Sequence, residues 1–299
     1  MGPEVSRARA WWLAARPRTL TISVAPVLVG TSLAWLDTGA LHVAAALVAL
    51  ACAVLIQIGT NLHNDAGDFE RGADGPGRLG PPRASASGWL RAGDVRRAAL
   101  GCFAAAVLLG LYLAWHAGWG IFALGLVSVA AGAAYTGGPR PIAYGPFGEF
   151  FVWLFFGLAA VLGTYYIQAF SFSWRAVGAA SLVGLLAAAV IVVNNYRDLD
   201  SDLRVGKRTL AVRIGRPASR VEYALLVLAP LLLAPAVFLG APRAWAGALP
   251  LALLPWGVAL VRSLGAEPPG PWLNRQLART AQLQAAFGLM LSLSAVFAA

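Results

Sequence analysis

Charge is scarce in this chain. Only 12% of its 299 residues are Asp, Glu, Lys or Arg, about half the ~25% usual in soluble domains, while 59% are apolar. A water-soluble fold of this size has no interior large enough for so much apolar surface. Intrinsic disorder, which needs polar and charged sequence, is excluded on the same ground. Cysteine is nearly absent: Cys52 and Cys102 stand far apart, each inside an apolar run. That spacing excludes a disulfide framework and a thiolate metal site, and leaves two inert packing residues. The three histidines, His42, His63 and His116, are scattered, which argues against the paired axial ligands of a haem-bearing quinone enzyme. No glycine-rich fingerprint of the Rossmann or P-loop kind occurs. Lysine is limited to Lys207, so 22 of the 23 basic residues are arginine. They gather in short polar stretches between apolar runs, which points to membrane topology and away from a nucleic-acid partner despite the net charge of +10. The N-terminal segment, basic and followed by a long apolar run without a convincing cleavage site, does not read as a cleavable secretory signal.

What fills the chain instead is nine apolar runs long enough to cross ~30 Å of hydrocarbon. They cover residues 20–36, 41–60, 95–115, 119–135, 147–168, 177–193, 219–239, 244–261 and 278–298. None alternates apolar and polar as a barrel strand would. The expected fold class is therefore all-α: a polytopic bundle of nine transmembrane helices, one domain over 1–299. Pro26, Pro230, Pro235, Pro250 and Pro255 predict kinks.

Orientation follows from the basic residues. With the N-terminus in the cytoplasm, 21 of the 23 Lys and Arg lie in inner segments, Arg78 among them, and only Arg175 and Arg243 lie outside. One missed helix would swap later loops between sides and destroy that asymmetry. The sequence thus predicts a multi-pass protein of the cell (inner) membrane, with Trp11, Trp12, Trp35, Trp115, Trp119, Trp174 and Trp245 as interfacial belts. Its two long inner loops, 61–97 and 194–220, are where cytoplasmic chemistry belongs.

Seven of the 13 acidic residues sit in two short stretches. The first is Asn61-Leu-His-Asn64-Asp65-Ala-Gly-Asp68-Phe-Glu70-Arg71-Gly-Ala-Asp74, and the second Asn194-Asn195-Tyr196-Arg197-Asp198-Leu-Asp200-Ser-Asp202. Each begins where an apolar run ends. If the helices continue past the membrane, Asn61, Asn64 or Asp65, and Asp68 share one face; Asn195, Asp198 and Asp202 share another. The repeated pattern, an amide followed by two carboxylates a turn apart, has the form of an internal pseudo-repeat. Four carboxylates facing one another repel unless something positive lies between them. Carboxylate and amide oxygens suit Mg2+, which shares its shell with substrate phosphates, and Arg204, Lys207 and Arg208 just downstream add phosphate partners. Neither stretch has the alternating ligand positions of an EF-hand. Such a clamp at a membrane face points to a diphosphate attached to an apolar group. A transporter with an acidic ion site would instead carry its carboxylates near the bilayer centre, whereas here they fall at the inner edge.

At these residues the sequence resembles the UbiA-type intramembrane prenyltransferase superfamily, whose two aspartate-rich motifs lie on helices two and six of a nine-helix bundle. Asn64-Asp65-Ala-Gly-Asp68 is similar to the first motif and Asp198-Leu-Asp-Ser-Asp202 to the second. The likeness is greatest to the menaquinone branch, the 1,4-dihydroxy-2-naphthoate polyprenyltransferases. It extends over Arg16-Pro-Arg-Thr-Leu20, Gly59-Thr-Asn61, Tyr135-Thr-Gly-Gly-Pro-Arg140-Pro, Phe156-Gly157 through Gly163-Thr-Tyr165-Tyr166-Ile-Gln168, and Gly206-Lys207-Arg208-Thr-Leu-Ala-Val-Arg213. Many members place a third aspartate where Gly72 stands; the branch pattern puts it at Asp74. Glu149 stands where relatives often have Asp or Glu after a Gly.

The resemblance implies Mg2+-dependent transfer of a polyprenyl group from polyprenyl diphosphate to 1,4-dihydroxy-2-naphthoate with loss of CO2, giving demethylmenaquinone. Other acceptors of the superfamily, 4-hydroxybenzoate, homogentisate, a porphyrin or a sugar phosphate, stay open. Asp65, Asp68, Asp198 and Asp202, with Asn61, Asn64 and Asn195, would hold the metal on the diphosphate. Arg71, Arg83, Arg140, Lys207 and Arg208 would steady charge on the departing group. Tyr135, Tyr166 and Tyr196, expected near the inner ends of their spans, would face the allylic cation. The acceptor's carboxylate would fall to Arg16, with Arg140 next. His63 is expected to face elsewhere, and the tail to leave between helices into lipid.

Overall fold

The computed structural model describes residues 5–74 and 79–299; Arg78 lies outside the described residues. Hydrocarbon offers backbone N–H and C=O groups no partner, so the apolar runs close their hydrogen bonds internally as helices. A short helix α1 (Arg7–Ala15), capped by the Ser6 side chain, precedes nine helices long and apolar enough to cross a membrane. These are α2 (Thr21–Thr38), α3 (Val43–Glu70), α4 (Ala92–Ala117), α5 (Trp119–Thr136), α6 (Gly148–Ala169), α7 (Trp174–Arg204), α8 (Leu210–Val237), α9 (Ala244–Leu264) and α10 (Leu273–Ala298). The expected nine spans are all present among the described residues. Trp115, Trp119, Trp174 and Trp245 are exposed at helix ends, as a belt requires, and Trp12 is exposed on α1.

The prolines act locally. Gly215, at φ 76°, bends α8 just ahead of Pro217. The first half of α9, Ala244–Leu253, winds tighter as a 3-10 helix containing Pro250, and Pro255 opens the regular half. In the middle of α6, Trp153–Ala159 form a π-helical segment. It crosses α7 where Gly157 meets Gly184: a Cβ on Gly157 would lie 2.8 Å from the Gly184 Cα. Small residues permit such approach, and in lipid close van der Waals contact replaces the hydrophobic effect as the packing force.

Helix α7 is the most enclosed span. One side of it, through residues such as Val183, Leu186 and Val193, builds the main core with α8, α9 and α10. Its other side helps enclose a cavity whose walls come from α2, α3, α5, α6, α7 and α10. At one end of that cavity α3 and α7 run on through both acidic stretches, as their spacing predicts. At the far end the His42 backbone N–H donates to Gln168 Oε1 at 2.7 Å and Gln168 Nε2 returns a bond to the His42 carbonyl at 3.1 Å, tying the start of α3 to the end of α6.

Candidate active site

The cavity has a volume of about 640 Å³, with its charged residues at one end and mostly apolar side chains along the rest. Its polar end gathers Asp65, Asp68 and Asp74 from α3 and the turn after it, Asp198 and Asp202 from α7, and Arg16, Arg83, Arg197 and Lys207 between them. Asp68 is the hub. It accepts from Arg83 Nη2 at 2.7 Å and from Tyr144 Oη at 3.2 Å, with Lys207 Nζ 3.7 Å away. The same ammonium lies 3.6 Å from Asp202 Oδ1 and 4.6 Å from the centre of the Tyr144 ring, so one cation joins the two acidic helices.

Arg83 reaches in from the loop after α3, and its Nε stands 3.2 Å from Asp74 Oδ1. Burial alone would lower its pKa; Asp68 first, then Asp74, Asp65 and Asp198, outweigh that and raise it, keeping the guanidinium charged. Its Nη1 is buried without a hydrogen-bond partner, an available donor at the centre of the site. Asp65 spends both oxygens on this loop, accepting from the backbone N–H of Ala84 at 3.0 Å and of Ser85 at 2.9 Å. Asp198 is held by its neighbour Arg197 through Nε at 2.8 Å and Nη2 at 2.5 Å. Arg197 in turn binds Asn194 and Asn274, each at 2.9 Å, and Asn274 Nδ2 donates to the Leu79 carbonyl at 2.9 Å. The loop over the site is thereby fastened to α3, α7 and α10.

The three asparagines line the cavity but serve the scaffold. Asn61 Nδ2 donates to the Ala15 carbonyl at 3.0 Å and lies 3.4 Å from Thr19 Oγ1. That pins a turn in which Arg16 adopts φ 53°, a left-handed conformation costing ~1–3 kcal/mol that clusters at functional sites. Asn64 Oδ1 accepts from Thr136 Oγ1 at 2.6 Å, and Asn195 Nδ2 donates to Glu149 Oε1 at 2.8 Å. Tyr135 lines the cavity wall.

Five expected site residues lie elsewhere. Tyr166 falls near the α6 end opposite the aspartates, stacked on Phe172 at 5.1 Å, because α6 runs away from the polar end. Tyr196 is buried on the α8 side, its Oη accepting from Arg220 Nε at 3.0 Å; one residue beyond Asn195 the helix has turned ~100°. Arg71 clamps α3 to the turn after α5, donating to the carbonyls of Thr136 and Gly138. Arg140 is exposed and off the cavity, as is the Arg208 side chain, whose residue contributes only a backbone N–H to the Tyr144 carbonyl at 2.8 Å. His63, as expected, faces away, beside Phe103. Sequence reasoning missed Tyr144, Arg197 and Asn274. Arg197 sat in plain view inside the second acidic stretch; the other two carry no local signal.

Among the described residues no three carboxylate, imidazole or thiol groups are gathered tightly enough to hold a bare metal ion. The all-oxygen donor set nevertheless fits Mg2+, which takes one or two carboxylates and completes its shell with phosphates and water. The buried Arg83 Nη1 fits the accompanying anion.

The UbiA prenyltransferase family profile matches residues 23–273. The 1,4-dihydroxy-2-naphthoate octaprenyltransferase of Mycobacterium tuberculosis is 41% identical over 81% of this chain and 83% of its own length. The enzyme of the same name from Escherichia coli is 38% identical over 76% of each chain. Among solved structures, a UbiA homolog from Archaeoglobus fulgidus bound to DMAPP and Mg2+ shares the fold, with a TM-score of 0.68 at 17% identity over 94% of this chain and 98% of that one. The chain belongs to the UbiA prenyltransferase family.

Proposed function

We propose that the chain, as one intramembrane domain, transfers a polyprenyl group from its diphosphate to 1,4-dihydroxy-2-naphthoate with loss of CO2. The Mycobacterium and Escherichia relatives carry that activity in their names. The observation that carries the reading is the single Lys207 ammonium between Asp68 and Asp202, residues from two distant acidic stretches at the mouth of an apolar cavity.

The diphosphate head lies at the polar end, against Arg83 and Lys207. Asp68 and Asp202, with Asp65 and Asp198, would hold Mg2+, as the magnesium-bound archaeal neighbour supports; the ion would supply positive charge to neutralise the departing diphosphate. Arg83 and Lys207 are preorganised donors for that same charge, and their buried setting makes them worth more than they would be in water. Cleavage of the C1–O bond leaves an allylic cation. Tyr135, with Phe155 and Phe156 on the opposite wall, presents aromatic faces and keeps water away. Arg16 holds the acceptor's carboxylate until its ring carbon bonds to C1. That carbon then releases CO2, whose bonding electrons restore the ring. No proton leaves the attacked carbon, so no base is demanded there, consistent with His63 lying outside the cavity. The product leaves as the quinol form of demethylmenaquinone.

The polar end faces the cytoplasm and the N-terminus lies inside, a reading supported by the arginine asymmetry, in the cell (inner) membrane. The test is purified protein with Mg2+, a polyprenyl diphosphate and a panel of aromatic acids, products read by mass. Expected is the prenylated, decarboxylated naphthalenediol. Product from 4-hydroxybenzoate but not from the naphthoate would overturn the acceptor. Solute uptake by proteoliposomes without prenyl transfer would overturn the enzyme.

A further inference from the structure

Most polar side chains along the apolar length of the cavity are satisfied where they stand. Ser23, Ser128 and Thr164 line it and donate to the carbonyls of Leu20, Leu124 and Ala160 at 2.8, 2.8 and 2.7 Å. Their short hydroxyls fold back on the preceding turn. Thr60 is turned against α5, where a Cβ on Gly132 would lie 2.5 Å from its Oγ1. Gln57 is different. It lines the cavity and is only 9% exposed, yet among the described residues no hydrogen bond reaches its amide. A buried amide without a partner is costly, and a leucine or methionine would fill the place without that cost. An amide kept there calls for a partner that enters the cavity.

Its position narrows the choice. Gln57 shares a face of α3 with Asn61, four residues on, and at ~1.5 Å per residue it stands about 6 Å further from the aspartates. Asn61 in turn donates to the carbonyl of Ala15, next to Arg16, at 3.0 Å. The Arg16 backbone is thereby fixed one helical turn above Gln57 on a shared cavity wall. A prenyl chain is hydrocarbon and offers an amide nothing. The aromatic acceptor is the substrate with polar atoms on both sides of one ring, a carboxylate on one and the 4-hydroxyl on the other. With the carboxylate at Arg16, that hydroxyl falls at the deeper level, where Gln57 waits.

We propose that Gln57 binds the 4-hydroxyl of the naphthoate acceptor, its Oε1 accepting from the O–H, and so sets the preference for a dihydroxy ring. This rests on the reading that the acceptor is 1,4-dihydroxy-2-naphthoate with its carboxylate at Arg16. Held at two points, the ring keeps its carboxylate-bearing carbon toward the end of the cavity where C1 of the donor lies. The test compares 1,4-dihydroxy-2-naphthoate with 1-hydroxy-2-naphthoate, which lacks only that hydroxyl, in the presence of Mg2+ and a polyprenyl diphosphate. The readout is the half-saturating concentration of each, or the half-inhibiting one for a compound that is not turned over. The wild type should favour the dihydroxy compound about tenfold, as one hydrogen bond allows. Gln57→Leu should abolish that preference by weakening the dihydroxy compound alone. The monohydroxy compound should bind the variant at least as tightly as the wild type, because no amide is left unpaired beside it. Gln57→Met also lacks the amide and should repeat the split; neither change removes a bond that holds the fold. A wild type without the preference, an unchanged preference in the variants, or equal weakening of both compounds overturns the role of Gln57 and leaves the prenyl-transfer reading intact. A wild type that prenylates neither naphthoate overturns that reading, and the role of Gln57 with it.

Discussion

Removing the charge at Lys207 tests the bridge between the two acidic helices. Its Nζ stands 3.7 Å from Asp68 and 3.6 Å from Asp202, and its side chain is only 14% exposed. Each contact is worth ~4–5 kcal/mol of Coulomb attraction at an effective dielectric of about 20, from which the cost of dehydrating the ammonium is subtracted. Lys207→Met keeps the apolar stem and leaves Asp202 without its cation, while Asp68 keeps Arg83; breaking a buried pair typically costs ~3–5 kcal/mol of stability. Loss of a preorganised donor to developing charge costs about 10²–10³ in kcat, ~2.7–4 kcal/mol. The two effects separate in the double variant Lys207→Met/Asp202→Asn, which relieves the repulsion. Thermal unfolding in detergent should recover while initial prenyl-transfer rates stay low. Lys207→Arg should restore part of the rate, since the charge remains but the compact ammonium becomes a planar fork. Wild-type turnover in Lys207→Met, within about threefold, refutes the role assigned to this cation.

Tyr144→Phe removes a hydrogen bond to Asp68 but leaves the ring beneath Lys207; a bond to a charged group of ~1.5–3 kcal/mol predicts roughly a 10- to 150-fold loss of rate. Burial first, and then the Asp68 carboxylate, push the Tyr144 phenol above its ordinary pKa. It therefore stays protonated where a free tyrosine ionises, and Tyr144→Phe should leave the alkaline limb of the pH profile unchanged; a shifted limb counts against this assignment. Asp65→Ala frees the loop amides of Ala84 and Ser85. Tryptic cleavage at Arg83 should accelerate along with the loss of turnover, and a loop as protected as in wild type would show that Asp65 does not anchor it. Chelation of divalent ions should abolish donor binding reversibly while naphthoate binding persists, measured by calorimetry; donor affinity unchanged in EDTA contradicts the metal assignment.

The spans and the meeting of α3 with α7 were legible because two constraints admit few solutions. Lipid leaves an apolar run only the helix, and seven acids confined to two helix exits must find cations together. What was hidden depends on rotation and on contacts made late in the chain. Tyr196 sits one residue from Asn195 yet is turned about 100° away toward Arg220, and proximity in sequence hid that rotation. Asp65 reads as a ligand by spacing; that its oxygens also cap a loop some 20 residues on carries no local signal. Asn274 belongs to the last helix and reaches both Arg197 and the Leu79 carbonyl, a link that no window of sequence contains. The π-helical segment of α6 is similarly silent, since apolar residues on every side carry no register.

Charge balance explains why such a site holds its aspartates on side chains of the protein until a donor arrives. Five carboxylates line the polar end, Asp65, Asp68, Asp74, Asp198 and Asp202, against four partly or fully buried cations, Arg16, Arg83, Arg197 and Lys207, with Arg18 beside them but exposed. Most of that charge is paired at rest, as burial demands, because an unpaired buried charge is expensive. A diphosphate entering alone would add its whole negative charge, and beyond the one unspent donor, Arg83 Nη1, the cations could greet it only by abandoning carboxylates that then repel one another. A donor that enters with its own divalent cations would keep the balance: on the proposed reading the aspartates would exchange Arg83 and Lys207 for metal, and those two side chains would turn to phosphate. The same side chains hold the resting site together and on the proposed reading would become the donors at the departing group, placing the specificity for a diphosphate in the exchange of partners rather than in any preformed metal cage.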